Sequence, residues 1–202
     1  MSTFIRRCTV ADAEALAAIY DPIVANTYVS FEQLPPGPDE MRRRIVSARD
    51  DYPWLVFANA GHVRGYAYAS PHRSRAAYQW AVDVSVYIAP EAHRQGIARQ
   101  LYMQLFQTLA AQGYCAAFAG VALPNEPSCR LHVSVGFSTV GVYHAVGFKF
   151  NAWHDVMWFE RRLRPATIAP SAPLSLAELE RVYRTGDPTR EQTSDPSTSP
   201  SS

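Results

Sequence analysis

Asp83 is the residue hardest to explain without a task. It lies inside the apolar run Trp80-Ala81-Val82-Asp83-Val84-Ser85-Val86-Tyr87-Ile88, which is valine-rich as a strand should be. A carboxylate there is either solvated at a strand edge or retained because it has a partner or a proton to handle. Ala89-Pro90 ends the strand, and Glu91-Ala92-His93-Arg94-Gln95-Gly96-Ile97-Ala98-Arg99 runs into helical sequence. A strand, a turn and a helix start in that order leave main-chain N–H groups unpaired at the positive end of the helix dipole, an arrangement suited to a pyrophosphate. Gly96 and Ala98 are small enough for an anion to approach the main chain, and Arg94 and Arg99 add positive charge. On spacing alone the segment reads equally well as an ordinary strand–loop–helix with solvated arginines.

Other residues carry weaker signals. His132, in Leu131-His132-Val133-Ser134-Val135, has a side chain able to act as acid or base near neutrality, or simply to pack. Asn125 to Ser128 follow a Pro-Asn turn and read as a helix N-terminus. Arg73, Arg75 and Tyr78 precede the Asp83 strand, and arginine forks suit carboxylate or phosphinate groups. His154 and Asp155 are neighbours on a predicted strand, so their side chains point to opposite faces and form no relay. With Trp153 they read as packing or dimer-contact residues.

The elements that must position these residues are legible as a series. Thr3 to Cys8 predicts a strand, and Thr9 with Asp12 caps a helix carrying Leu16, Ile19, Tyr20, Ile23 and Val24, with Pro22 expected to kink or end it. An extended stretch is expected at Tyr28 to Phe31. A second helix then opens at Pro38-Asp39, with Met41, Ile45 and Val46 inward and Arg42 to Arg44 solvated. Leu55–Asn59 and Val63–Ala69 predict a hairpin about Gly61, and Ala81–Ile88 the strand before the loop. The helix after the loop places Ile97, Leu101, Tyr102, Leu105 and Leu109 on one face and stops at Gly113. Cys115–Val121 is a buried strand, Pro127–Val135 a short helix, and Phe137–His144 and Trp153–Leu163 the last strands. The expected fold class is α/β (α+β), a mixed, mostly antiparallel sheet flanked by helices on both faces. Residues 3–163 form the domain; 164–202 form an extension with a short helix at 175–184 and Ser/Thr/Pro-rich, disordered sequence after 186.

Composition removes several classes of function. Of 202 residues 48% are hydrophobic, enough for a core, and the net charge of +1 points to neither nucleic acid nor an anionic membrane. Cys8, Cys115 and Cys129 form no paired motif, so neither a zinc site nor a disulfide framework is expected. No signal peptide or long apolar span is evident, and a cytoplasmic location is expected.

His93-Arg94-Gln95-Gly96-Ile97-Ala98 resembles the coenzyme A pyrophosphate loop of the GCN5-related N-acetyltransferases (GNAT family), whose pattern is Gln/Arg-x-x-Gly-x-Gly/Ala; His93 departs from it. The resemblance extends from Ile5 to about Leu163. Tyr52-Pro53-Trp54-Leu55-Val56, Gly65-Tyr66-Ala67-Tyr68-Ala69, Leu123-Pro124-Asn125-Glu126-Pro127-Ser128 and Gly147-Phe148-Lys149-Phe150-Asn151-Ala152-Trp153-His154-Asp155-Val156 are similar to the phosphinothricin N-acetyltransferase branch. The last two blocks are the most specific. The resemblance implies the GNAT acyl-CoA N-acyltransferase fold and acetyl transfer from acetyl-CoA to a small amine, without a metal, by a homodimeric enzyme. It implies that Val86, Tyr87 and Ile88 hold the pantetheine arm and carbonyl, that Arg94 to Arg99 (Gln95, Gly96, Ile97 and Ala98 between them) hold the pyrophosphate, and that Asn125 and Ser128 hold the pantetheine from the other side. Asp83 stands where this branch usually has glutamate as the base toward the amine; being one methylene shorter, it favours a bridging water. His132 stands where many acetyltransferases have a tyrosine that protonates the thiolate. Arg75 and Tyr78 match the branch's Lys-x-Arg-x-x-Tyr-x-Trp stretch, and Phe31 is a further pocket wall. The expected acceptor is phosphinothricin or a methionine sulfoximine or sulfone-like amine. Another small amine, a peptide N-terminus, or a coenzyme A-binding regulatory module that has lost catalysis stay as alternatives.

Overall fold

The computed structural model describes residues 3–48 and 51–185. Seven strands form one sheet in the order β1-β2-β3-β4-β5-β7-β6. They are β1 (Thr3–Arg7), β2 (Trp54–Asn59), β3 (His62–Pro71), β4 (Ala81–Ile88), β5 (Ala116–Ala122), β6 (Ser138–Lys149) and β7 (Ala152–Arg162). Every neighbouring pair is antiparallel except β4 and β5. The helices are α1 (Ala13–Asn26), α2 (Gly37–Ala48), α3 (Ile97–Gln112), α4 (Glu126–Ser134) and α5 (Leu176–Thr185). This is the mixed, mostly antiparallel sheet flanked by helices that the sequence predicts. No helix among the described residues is long and apolar enough to cross a membrane.

Residue parity assigns the helices to the two faces. Tyr20 of α1 meets Tyr87 of β4 edge-on at 4.8 Å, so α1 covers the face shown by odd-numbered β4 residues. Val82 and Val84 point the other way and are buried. On that second face α3 buries Ile97, Leu101, Tyr102, Leu105 and Leu109, each contributing about 2 kcal/mol by removal from water. The α3 C-terminus is closed by Gly113 at φ +108°, whose N–H bonds the carbonyls of Leu109 and Ala110.

Local reading errs where tertiary contacts decide. Pro22 does not end α1, which runs on to Asn26. The turn beyond it is held by burial of Val24 and by Lys149 Nζ, which donates to the carbonyls of Val24 and Ser30 at 2.6 and 2.8 Å. Residues 28–30 form bends and residue 31 is irregular, so no strand forms there. In α2, Met41 is buried but Val46 is exposed. Arg44 is not solvated: its guanidinium binds both oxygens of Glu32 and one of Glu40, the two-pronged geometry that favours arginine over lysine.

The C-terminal extension packs on the domain as far as it is described. Ser175 and Glu178 form a reciprocal cap at the start of α5, and Leu176 and Leu179 are buried. Leu174 exchanges hydrogen bonds with buried Gln112 at the end of α3. The disorder expected after residue 186 lies outside the described residues.

Candidate active site

The centre of the sheet opens as a fork. β4 and β5 are in register only at Ala81–Ala116, Val82–Ala117 and Asp83–Phe118, although β4 continues to Ile88 and β5 to Ala122. Past Asp83 the β5-facing edge of β4 therefore has no strand partner among the described residues. Alternation identifies the groups on it. Ala89 N–H bonds Arg64 of β3, so odd-numbered β4 residues spend their peptide groups on β3 and even-numbered ones face β5. Among the described residues the main-chain groups left without a strand partner there are those of Val84 and Val86 and the Ile88 N–H, the Ile88 carbonyl being met by His93. Tyr87, expected to join them, has its main chain on β3 and its ring against Tyr20 and Tyr66.

The loop after β4 makes the expected anion site. Arg94 has φ +61° and Gly96 φ +74°; both are left-handed, and at Gly96 the lack of a Cβ makes this easy. Gly96 is the α3 N-cap without any side-chain cap. The first helical bond is Gln100 N–H to the Gly96 carbonyl, leaving the N–H groups of Ile97, Ala98 and Arg99 at the dipole's positive end. A Cβ on Gly96 would enter open space, with no atom within 4 Å. That is the room a pyrophosphate needs.

The side chains divide less simply than the main chain. Arg94 is exposed and has no partner among the described residues. The Arg99 guanidinium donates to the Ser134 carbonyl at 2.7 Å and the Gln95 amide to that of Glu91 at 3.1 Å. Their contribution to an anion site is the main chain. His93 Nε2 lies 3.1 Å from the Ile88 carbonyl, so the residue that departs from the loop pattern reaches back to the strand.

Across the fork, Asn125 caps α4 by accepting from Ser128 N–H at 3.3 Å, which leaves the Asn125 amide N–H groups for another acceptor. His132 is one turn further on and only 4% exposed. Its Nδ1 is 2.8 Å from the Ser128 carbonyl, its Nε2 is 3.1 Å from the Tyr102 hydroxyl, and its ring stacks on Phe159. Burial disfavours the imidazolium and pushes its pKa down.

The structure does not bring His132 and Asp83 together. Phe159, under His132, pairs with Ala119, whereas Asp83 is in register with Phe118. Adjacent residues of a strand point to opposite faces, so His132 belongs to the α3 face and Asp83 to the α1 face.

On its own face Asp83 has a partner that sequence reading missed. His72 Nδ1 lies 2.6 Å from Asp83 Oδ1. The imidazole stacks on Phe118 at 4.2 Å and stands edge-on to Trp158 and Tyr78 at 6.3 and 6.1 Å. Arg73 donates to the His72 carbonyl and lies 5.8 Å over the Trp158 ring. The side chains of Asp83 and His72 are 29% and 11% exposed. Burial raises the Asp83 pKa above the usual aspartate value, opposed by the His72 hydrogen bond and by the charges of His72 and Arg73. The available signal was register: Ser70 pairs with Asp83, so the turn of the β3–β4 hairpin swings His72 back over it.

The remaining acceptor-side expectations fall around this cluster. Tyr78 is 46% exposed and its ring neighbours His72. Arg75 is exposed at the start of the same short turn, with no partner among the described residues. Phe31 packs on the main chain of Gly147, where a Cβ would overlap its ring, and its ring centroid is 6.2 Å from that of His154. His154 also stacks on Tyr28, whose hydroxyl donates to the Pro124 carbonyl. Trp158 and His154 share a face of β7, so Phe31 lies further along the wall that begins at Asp83. Among the described residues no group of three or more His, Cys, Asp or Glu is placed to hold a metal ion.

Comparison with known proteins agrees with this geometry. The acetyltransferase (GNAT) domain model matches residues 5–158. The chain is 37% identical over 172 residues to a phosphinothricin N-acetyltransferase of Streptomyces viridochromogenes, covering 85% of this chain and 94% of that protein. It is 40% identical over 156 residues to one of Streptomyces coelicolor, covering 75% and 91%. A phosphinothricin acetyltransferase of Sinorhizobium meliloti, solved with acetyl-CoA, superposes with a TM-score of 0.80 at 33% identity, covering 85% of this chain and 94% of that one. The chain belongs to the GNAT acetyltransferase family and groups with its phosphinothricin branch. It is an N-acetyltransferase with acetyl-CoA as co-substrate.

Proposed function

We propose that this enzyme acetylates the primary amine of a small, carboxylate-bearing, amino-acid-like acceptor, phosphinothricin or a methionine sulfoximine or sulfone, in a ternary complex. The observation that carries this reading is the fork that opens at Asp83, with the anion site at the far end of β4. Acetyl-CoA supplies an activated thioester. Its pyrophosphate fits the main-chain N–H groups of Ile97 to Arg99 with Arg94 beside them, and its pantetheine arm fits between the free β4 edge and Asn125 and Ser128. The Val86 and Ile88 edge offers hydrogen-bond donors to the arm and to the thioester carbonyl, where charge develops during attack.

The acceptor enters from the α1 face. Arg75 binds its acidic group, and Tyr78, Trp158 and Phe31 line its side chain. An amine is protonated near neutrality and cannot attack until it loses a proton. Asp83, at the mouth of the fork, draws that proton directly or through a bridging group. His132 is assigned a supporting role, holding α4, and hence Asn125 and Ser128, against α3. Capping the amine of an inhibitory amino acid would confer resistance to it. We further infer a cytoplasmic homodimer. Exposed Val140, Tyr143, Val146, Phe148, Phe150 and Trp153 on the β6–β7 hairpin offer an apolar face to a second copy.

A thiol-release assay with acetyl-CoA across an amino-acid panel that includes phosphinothricin and methionine sulfone tests the reading. Turnover selective for phosphinothricin or methionine sulfone over amines that lack a carboxylate supports it. Turnover confined to uncharged amines or peptide N-termini removes the acceptor assignment, and binding of acetyl-CoA without turnover of any amine makes the chain a sensor.

A further inference from the structure

We propose that His72 is a catalytic residue: it takes the place of the bridging water between the acceptor's ammonium and Asp83, receiving the amine's proton at Nε2 while Asp83 holds its Nδ1–H. This deepens the reading above and rests on it.

Three observations assemble the dyad. The Nδ1–Oδ1 distance of 2.6 Å is that of a charge-assisted hydrogen bond. Stacking on Phe118 fixes the plane of the imidazole, so the ring cannot swing away from the carboxylate. Nε2 has no partner among the described residues, yet it is not one of the buried polar atoms left without one; it therefore opens to solvent from a side chain otherwise largely enclosed.

The arrangement is a carboxylate that selects a tautomer and an imidazole that presents a bare nitrogen outward. The same division of labour operates in hydrolytic triads, where the carboxylate stays ionised and stabilises the imidazolium. As classes, imidazoles are the stronger bases, so Nε2 is the better acceptor for an ammonium proton. The step balances simply. The ammonium N–H bond breaks and its proton joins Nε2. The freed lone pair forms the new bond to the thioester carbon, the C–S bond breaks, and the second proton shed by the acylated nitrogen passes to the departing thiolate, leaving a neutral amide and the coenzyme A thiol. The charged and titratable groups facing the pair are Arg73 from the same loop, Tyr78 from the turn before β4, and Tyr68 from β3. Glu160 of β7, in register with Phe118, is exposed. None of these lies within hydrogen-bonding distance of Nε2.

The test uses the full-length enzyme with acetyl-CoA and the best acceptor of the panel. His72→Asn keeps an N–H donor toward Asp83 but has no nitrogen at Nε2; His72→Phe keeps the stacking and loses both. Both variants should lower kcat/KM about 100-fold near neutrality, with recovery as pH approaches the amine's own pKa and acetyl-CoA affinity unchanged. Combining either with Asp83→Asn should cost little more, because the two residues act as one unit. A His72→Asn enzyme within about threefold of wild type at every pH overturns the proposal and leaves acetyl transfer standing. A wild-type enzyme that acetylates nothing removes the reading beneath it instead. Should neither variant fold, ¹⁵N NMR of wild-type imidazoles still decides. A neutral His72 protonated at Nδ1 and bare at Nε2 supports the dyad, and the opposite tautomer overturns it.

Discussion

Gly96 gives the cofactor site its most quantitative test. Its φ of +74° lies where an L-residue costs about 1–2 kcal/mol, and nothing stands within 4 Å of a Cβ built there. Gly96→Ala therefore meets no obstacle in the free protein and probes backbone strain alone. If that strain falls on the binding conformation, the acetyl-CoA Kd should rise by about tenfold, since 1.4 kcal/mol is a factor of ten. Gly96→Glu adds a negative charge facing the anion site. At an effective dielectric of about 20 and a separation of about 6–8 Å, one like-charge pair costs about 2–3 kcal/mol. Strain and repulsion together, about 3–5 kcal/mol, should weaken binding by about 100- to 4,000-fold. Calorimetry on both variants, with circular dichroism to check the fold, measures this. Raising the salt concentration should shrink the glutamate's excess penalty but not the alanine's. A folded Gly96→Glu protein that binds acetyl-CoA like wild type would refute the assignment and place the pyrophosphate elsewhere.

Three further outcomes follow from the site. Asp83→Asn should cut turnover by about two orders of magnitude near neutrality, with the defect shrinking toward the amine's pKa; a pH series of kcat/KM checks it. His132→Asn should cost about 2–3 kcal/mol of stability by stranding the Tyr102 hydroxyl or the Ser128 carbonyl, without changing the shape of the pH–rate profile; a defect rescued at high pH would move proton transfer to His132. Asp12, hydrogen-bonded to Arg6 and Thr9, has its pKa held down chiefly by Arg6. A depressed carboxylate stabilises the fold fully above its unfolded pKa of about 4 and loses that contribution as pH falls through the folded value. Thermal melts between pH 6 and 3 should fall more steeply for wild type than for Asp12→Asn.

What could be read from the sequence was local. The strand Ala81–Ile88, the loop to Gly96 and the stripe Ile97 to Leu109 declare themselves within one window, because alternation, a glycine and helical spacing act over neighbouring residues. The His72–Asp83 contact depends on hairpin register across eleven positions, which no local pattern reports. The split of β4 from β5 is likewise a property of two strands joined through a whole helix. In α4 His132 is buried while its apolar neighbour Val133 is exposed, a facing set by packing against α3 that hydrophobicity along the chain does not report. Pro22 and Arg44 show tertiary bonds overruling propensity and solvation.

The measurement closest to the central claim is a crystal structure of the enzyme with a non-transferable acetyl-CoA analogue and its acceptor bound together. The acceptor nitrogen should lie on the α1 face, within about 3.5 Å of the Asp83–His72 pair, with the thioester carbonyl against the main chain of Val86 or Ile88. An acceptor nitrogen on the α3 face, directed at His132, would contradict it.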